Sequence, residues 1–363
     1  MEKVSVVKCS SYENAKVRKA LEVSLKNIQF SFKKGMKVLI KPNLLSASKV
    51  SQAVTTHPMI VLELCKILKK KGAEIYIGES SAFDTDRAFK VCGYSKLERY
   101  AQIVNFESLP KKFFNFGKSM RRIPLPQIAF DVDLVINVAK MKTHGLTQTT
   151  LCVKNLYGCI PGNLKESLHK ILPSPKEFSK LLLKIEETIK PGLNIIDGVV
   201  GLEGEGPGAS GELIKSKIII VSKSAIAGDF IASEIMGFKP RKIYTNRLAK
   251  IQRKEIEVLG NGKNIHLNFK KPKSHDIQFA LQFLGFLPKP KITFDYSKCK
   301  QCRICESKCP AEAIKLNPWP ECNHNKCIRC LCCIEVCPHS AIYLKAHWFR
   351  QILMNIYRKF KKV

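Results

Sequence analysis

The chain alternates short apolar runs with stretches whose apolar residues recur at helical spacing. Residues 4–7 read as a first strand, and Val17, Leu21, Leu25 and Ile28 then share one helical face before Gly35 ends the unit. Val38, Leu39 and Ile40 form a second strand that runs into Lys41, Pro42 and Asn43. Thr56 is placed as a helix N-cap with Pro58 in the first turn, and Ile60, Leu64, Ile67 and Leu68 line one face up to the stop at Gly72. Residues 75–77 give a third strand ending at Gly78, Glu79 and Ser80, followed by a short helix over residues 84–91. This rhythm predicts βαβ units, and so an α/β fold with a mainly parallel sheet flanked by helices.

Residues 111–131 interrupt the rhythm. Phe113, Phe114 and Phe116 are mixed with Arg121 and Arg122, then Pro124 and Pro126, which reads as a partly buried hairpin with a solvated rim. Aromatics interleaved with basic residues also suit stacking on single-stranded bases. Residues 134–138 form the clearest buried strand and deliver Lys140, Lys142 and His144 at its carboxyl end; residues 193–196 deliver Asp197 in the same way. Gly201, Gly204, Gly206 and Gly208, with Glu203, Glu205 and Pro207 among them, predict a loop. Residues 218–221 lead to Ser224 as a cap and a helix through Phe230 and Ile231, and residues 285–290 read as a linker. Beyond Lys345 a last helix is expected, with Trp348, Ile352, Ile356 and Phe360 on one side and Arg350, Arg358 and Lys359 around the rest. The expected division is an α/β domain over 1–288, a small α+β domain over 291–345 and a basic amphipathic helix over 346–363.

The small domain is defined by cysteines. Cys299, Cys302, Cys305 and Cys309-Pro310 are spaced as C-x-x-C-x-x-C-x-x-x-C-P, and Cys327, Cys330, Cys333 and Cys337-Pro338 repeat the phrase. Ala313-Ile314 and Ala341-Ile342 follow at matching positions, so the duplication extends past the cysteines. Paired C-x-x-C is also a zinc spacing, but two complete runs exceed what a four-cysteine zinc site needs. The doubled phrase resembles the bacterial two-cluster ferredoxin module. The resemblance implies two [4Fe-4S] clusters, and each closely spaced trio takes its fourth thiolate from the other copy. It assigns Cys299, Cys302, Cys305 and Cys337 to one cluster and Cys327, Cys330, Cys333 and Cys309 to the other, leaving Cys322 and Cys332 as bystanders.

Fifteen cysteines in this pattern imply a reducing, cytoplasmic setting. No N-terminal signal core and no apolar stretch of bilayer-spanning length are visible. The net charge of +32, from 62 Lys and Arg against 30 Asp and Glu, would attract acidic proteins, anionic substrates, nucleic acid or anionic lipid. A basic helix over 346–363 suits the inner face of an anionic membrane, or packing against the ferredoxin module.

A second site is expected where the strands end, because ligands of open parallel sheets bind outside the strand carboxyl ends. Its candidates are Lys41, Asn43, Glu79, Lys140, Lys142, His144, Asp197 and Glu203. Lys142 and His144 are candidate proton donors or anion clamps, and Asp197 and Glu203 are candidate bases or cation ligands. Gly206-x-Gly208-x-x-Gly211 matches the letters of a dinucleotide fingerprint, but Pro207 and the strand-like sequence after it are wrong for a phosphate-binding helix. Glu203 and Glu205 suit a metal ion or a substrate amine better.

Lys41-Pro42-Asn43, Thr56-His57-Pro58, Gly78-Glu79-Ser80, Lys140 to His144, Lys154-Asn155, Asp197-Gly198, Glu203-Gly204 and Asp229 resemble, in order, the motif series of the domain of unknown function 362 family. Many members similarly carry a C-terminal two-cluster ferredoxin module. The resemblance implies the architecture and the site residues, and no reaction. The expectation is an iron-sulfur electron-transfer oxidoreductase with a redox partner protein and a small-molecule substrate. The alternatives are a non-catalytic carrier or assembly subunit, and last a nucleic-acid binder, for which no familiar motif is present.

Overall fold

The computed structural model describes residues 1–117, 120–172, 174–274 and 289–345. The predicted helix over 346–363 and most of the linker over 285–290 lie outside the described residues. In chain order the strands of the large domain begin with β1 (Glu2–Lys8), β2 (Lys37–Lys41), β3 (Glu74–Glu79) and β4 (Gln102–Asn105). The separate antiparallel hairpin of β5 (Lys111–Phe114) and β6 (Ile123–Pro126) follows. Then come β7 (Leu134–His144), β8 (Gln148–Thr150), β9 (Leu193–Gly204), β10 (Gly211–Ile214), β11 (Ile218–Ser222) and β12 (Ile256–Leu259). The main sheet has the order β12-β1-β11-β9-β7-β2-β3-β4, and β8 and β10 pair with β7 and β9 outside this path. Only β11 runs against its neighbours along the path, so the sheet is mainly parallel.

Period-two alternation divides the core between the two faces. Val38, Ile40, Ile136, Val138 and Ile195 pack with Val17 and Leu21 of the helix Asn14–Asn27 and with Ile60 and Leu64 of the helix Pro58–Lys69. Leu39, Val135, Ala139, Ile196 and Ile220 join the other cluster, with Phe178 and Leu181 of the helix Pro175–Ile189 and Phe230 and Ile231 of the helix Ala225–Ile235. Ser224 caps that last helix as predicted, its Oγ accepting from Ala227 N–H at 3.2 Å. Thr56 does not cap the helix Pro58–Lys69. Its hydroxyl is held inside, donating to Val138 O at 2.7 Å and accepting from Asn43 N–H at 2.9 Å, and His57 Nδ1 takes the cap, accepting from Met59 N–H at 3.1 Å.

The segment over 111–131 is a hairpin, as its pattern predicts. Phe114 packs 5.1 Å from Phe130 between ring centroids, and the Arg122 guanidinium lies over Phe113 at 5.2 Å. β7 and β9 are longer than their apolar runs suggest. Each continues past the sheet, because β8 supplies a ladder to residues 142–144 and β10 one to residues 201–204. The glycine-bearing stretch expected to be a loop is therefore strand up to Gly204.

The C-terminal module pairs β13 (Lys291–Phe294) with β16 (Ile342–Lys345) and β14 (Ile314–Leu316) with β15 (Pro320–Cys322), all antiparallel, around the helices Ile304–Ser307 and Cys332–Val336. The duplication extends to the backbone. Gln301 and Arg329, Arg303 and Leu331, and Glu312 and Ser340 are left-handed at equivalent positions, with φ between 49° and 69°.

Candidate functional site

β2 and β3 lie side by side in parallel register, which brings Lys41 and Glu79 together inside the protein. Lys41 Nζ is 2.6 Å from Glu79 Oε2, and both side chains are buried. Lys41 also donates to Pro42 O at 2.9 Å and to Asn155 Oδ1 at 3.4 Å. Glu79 accepts from Ser80 N–H at 2.9 Å and Leu44 N–H at 3.2 Å. Burial pushes the Glu79 carboxyl above its ordinary pKa, against the opposing pull of Lys41. A Cβ at Gly158 would stand 2.2 Å from Glu79 Oε1, so any larger residue at this position of the turn Leu156–Cys159 would have to displace the buried Glu79 carboxylate.

Lys140 and Asp197 form a second buried pair, 2.9 Å apart. The two residues are directly paired in mid-strand, where β7 and β9 run on for several residues. They are turned towards the side carrying Tyr12 and His57. Tyr12 O–H donates to Asp197 Oδ1 at 2.8 Å, Lys140 donates to the Tyr12 oxygen at 2.8 Å, and His57 N–H donates to Asp197 Oδ2 at 2.9 Å. The His57 ring stacks on Tyr12 at 3.6 Å, and burial lowers its pKa to about 4. With these partners Asp197 is satisfied inside the protein, and neither member of the pair lines the cavity described next.

That cavity, of about 90 Å³, lies between the strand ends and the C-terminal module. Asn43, Glu79, Lys142 and Lys154 line it from the large domain, Lys165, Glu166 and His169 from the helix Leu164–Ile171, and Cys332 and Glu335 from the second cysteine run. Lys142 is fully buried and donates to Val54 O at 2.6 Å. Burial first, then the charges of Lys154 and Lys140, drive its pKa well below the ordinary lysine value. Lys165 donates to Ser80 O at 2.5 Å and to Ser80 Oγ and Ser81 O at 2.9 Å, and burial lowers it to about 8. Burial raises Glu335 to about 7 and lowers His169 to about 3.

His144 is directed to the module. Its Nδ1 accepts from Leu146 N–H at 3.0 Å, and its Nε2 lies 3.3 Å from Glu335 Oε1. Lys308 makes a second bridge between the domains, donating to Asn163 Oδ1 at 2.6 Å and lying 3.4 Å from Glu166 Oε1. A Cβ on Gly208 would be 2.3 Å from Glu335 O, so the glycine-rich stretch is a seat for the helix Cys332–Val336. Glu203 and Glu205, expected to meet a metal or an amine, instead accept backbone N–H groups, from Lys270 at 2.9 Å and from Lys273 at 2.5 Å. Neither lines the cavity.

The cysteines gather in two groups. Cys299, Cys302, Cys305 and Cys337 line one small void, and the neighbouring thiols Cys302, Cys337 and Cys299 add to burial in raising Cys305 to about 11. Burial also raises Cys333, with Cys330, Cys327 and Cys309 adding to it in that order. Both groups are made of the trio of one copy and the fourth cysteine of the other. Such crowding of thiols is the condition that iron relieves by binding the thiolates. Backbone N–H groups point at the sulfurs in matching places, Ala313 to Cys309 at 3.2 Å and Ala341 to Cys337 at 3.4 Å. The neighbouring thiol Cys322 holds Cys327 below the ordinary cysteine value, and Cys332 does the same to Cys330. The two extra cysteines thus stand beside members of the second run. Among the described residues no group of three or more His, Cys, Asp or Glu is disposed to hold a single metal ion.

The model of a domain of unknown function, DUF362, matches residues 38–234, more than half of the chain. The chain belongs to the DUF362 family. A 4Fe-4S binding domain matches residues 292–315 and 323–343, so this DUF362 protein carries an iron-sulfur module of ferredoxin type. The thylakoid-associated protein sll1697 of Synechocystis sp. (strain ATCC 27184 / PCC 6803 / Kazusa) is 30% identical over 247 residues, 67% of this chain and 77% of that one. The lactate racemase apoprotein of Thermoanaerobacterium thermosaccharolyticum aligns over 61% of this chain and 54% of its own, with a TM-score of 0.37 and 14% identity. That alignment spans about half the length of the racemase, and the score is too low to bear on chemistry. Among the described residues of the DUF362 protein, no helix is long and apolar enough to cross a membrane.

The sequence pattern missed Lys165, Glu166 and His169, which read as ordinary polar positions of an amphipathic helix. It also missed Tyr12 and His57 as partners of Asp197. Glu335 was marked, in retrospect, by asymmetry between the copies: the equivalent position in the first copy is Ser307.

Proposed function

We propose that this protein is an iron-sulfur oxidoreductase that exchanges single electrons with an external redox protein and acts on a small molecule in the cavity between the domains. Cys299, Cys302, Cys305 and Cys337 would hold one [4Fe-4S] cluster and Cys327, Cys330, Cys333 and Cys309 the other. Bound there, the clusters supply one-electron transfer. The observation that carries this reading is the shared cavity, lined at once by Lys142 and Lys165 of the large domain and by Cys332 and Glu335 of the second cysteine run.

The residues of the chain supply what electrons alone do not. Lys165, with a pKa near 8, holds a proton that it can give up or take back near neutral pH. Lys142 presents a second amine on the same cavity, its pKa also lowered by burial. The Lys41–Glu79 pair fixes the strand ends, and Lys165 of the helix Leu164–Ile171 ties them at Ser80 and Ser81. Cys302 is exposed while Cys333 is buried, which favours the first cysteine group as the outward contact for the partner and the second as the inward one. The thylakoid-associated relative lends support to placement at a membrane surface through the basic residues 346–363.

The test is iron and sulfide analysis of the full chain prepared without oxygen, followed by electron paramagnetic resonance after reduction. About eight irons per chain and two interacting reduced clusters are expected. Zinc in place of iron, or one cluster, would overturn the reading.

A further inference from the structure

The lysines around the cavity are not equivalent. Lys142 is bound to Val54 O, and Lys165 to the oxygens of Ser80 and Ser81. Lys154 is also against the cavity, yet among the described residues its ammonium makes no hydrogen bond or ion pair. It stands over the rings of Tyr157 and Phe178, 5.0 and 5.6 Å from their centroids. Glu335 opposes its charge from the other wall without a hydrogen bond, and a cation held by aromatic faces with no acceptor of its own is available to an anion.

The same cavity gathers buried polar atoms with no hydrogen-bond partner: Asn43 Oδ1, Glu166 Oε2, Thr150 Oγ1 and His169 Nδ1. All four residues are 9% exposed or less. Buried polar groups in folded proteins are almost always satisfied, so a cluster of orphans on one cavity calls for something that hydrogen-bonds with them and that donates to Asn43 Oδ1 and Glu166 Oε2. A metal ion is a poor candidate, since three lysines line the space and no group of side chains is spaced to hold one ion among the described residues. Glu79, Glu166 and Glu335 on the walls oppose a multiply charged anion. Leu44, Tyr157, Pro207 and Val336 supply an apolar remainder.

We propose that the cavity binds a small monocarboxylate that carries a hydroxyl or amino group, with its carboxylate on Lys154 and its donor on Glu166 Oε2 and Asn43 Oδ1. This rests on the cavity being the substrate pocket and specifies the class of molecule that enters it. The two ends act together. A carboxylate without a donor leaves Glu166 and Asn43 unsatisfied, and a donor without a carboxylate leaves Lys154 so.

Calorimetric binding to the cluster-loaded full chain tests this with two matched sets: 4-hydroxybenzoate against benzoate and phenol, and glycerate against propionate and glycerol. In at least one set the molecule with both groups should bind at least about tenfold more tightly than either partial analogue. Lys154→Met and Glu166→Gln should each weaken that binding by about tenfold, and Lys154→Arg should restore most of it. No binding by any of the six molecules at millimolar concentration would overturn the proposal. So would equal binding within both sets, indifference to Lys154→Met, or binding of magnesium ion alone. Iron content and the reduced-state spectrum of the same samples report on the clusters separately: failure of binding with the irons intact rejects the ligand class and leaves the iron-sulfur reading in place.

Discussion

Gly208→Ala isolates the contact on which the shared cavity depends. Gly208 has no left-handed backbone angle, so the substitution adds a methyl group and no conformational strain of its own. That methyl would stand 2.3 Å from Glu335 O and 3.1 Å from Glu335 C. These are backbone atoms, which cannot swing aside as a side chain can, so the helix Cys332–Val336 has to move by about 1 Å to regain ordinary van der Waals separation. Overpacking of this kind costs roughly 1–3 kcal/mol. At about 1.4 kcal/mol per factor of ten, the locally open state should become roughly 5- to 150-fold more populated. Amide hydrogen exchange on the anaerobic full chain reads this directly. Exchange over residues 331–336 should rise by that factor, while the buried amides of Leu39, Ile136 and Ile195 keep their protection. Gly228→Ala is the control, because its methyl would meet Ser222 Cβ at 3.5 Å and Ile196 Cδ1 at 4.0 Å, both ordinary contacts. Unchanged exchange over 331–336 in Gly208→Ala, or the same change in both variants, would refute the docking of the module on the glycine-rich stretch.

Three other outcomes follow from the same geometry. Lys41→Met should destabilise the fold by roughly 3–5 kcal/mol by leaving Glu79 charged and buried, and the double change Lys41→Met with Glu79→Leu should recover much of the loss, as measured by a denaturant double-mutant cycle. Cys333→Ser should cut the iron content from about eight to about four per chain, whereas Cys322→Ser and Cys332→Ser should keep it near eight. The folded-state pKa of His169 is depressed to about 3, so the unfolded chain binds the extra proton between that value and about 6.5, and stability falls as pH drops through this window. Relative to His169→Phe, the natural chain should lose about 2 kcal/mol between pH 7 and pH 5; a pH-independent difference in denaturation midpoint would count against a neutral, buried His169.

The fold was legible in the sequence wherever one face or one spacing decided it. Val38 to Ile40 are apolar without interruption, and residues 134–138 are so except for the hydrogen-bonded Asn137, because both faces of those strands are covered. The cysteine groups were legible because the duplication is local in sequence and its partners repeat at a constant offset. Strand length was less visible. Lys140, Lys142 and His144 look like a turn after an apolar run, but β8 supplies ladder partners to residues 142–144, and a ladder partner is not written in the strand it pairs with. The same is true of β9, where Asp197 sits in mid-strand and finds Tyr12, 185 residues away, instead of a ligand.

The surface joining the domains shows where sequence reasoning ran short and what signal remained. In the first cysteine copy, positions 303, 306 and 307 are Arg, Glu and Ser; the equivalent residues of the second copy are Leu331, Ile334 and Glu335. A duplicated unit that becomes apolar in one copy has covered that copy, and Leu331 and Ile334 are indeed buried while Arg303 and Glu306 make an ion pair with partly exposed side chains. Glu335 is the exception within that apolar change: a carboxylate placed on a buried face needs a partner from the other domain. His144, Lys142 and Lys154 are the groups that meet it, by contact or by charge. The motif residues of the large domain and the asymmetry of the cysteine repeat therefore describe one surface from its two sides. A change that removes charge from Glu335, such as Glu335→Gln, should accordingly loosen the seat of the module more than it disturbs either domain.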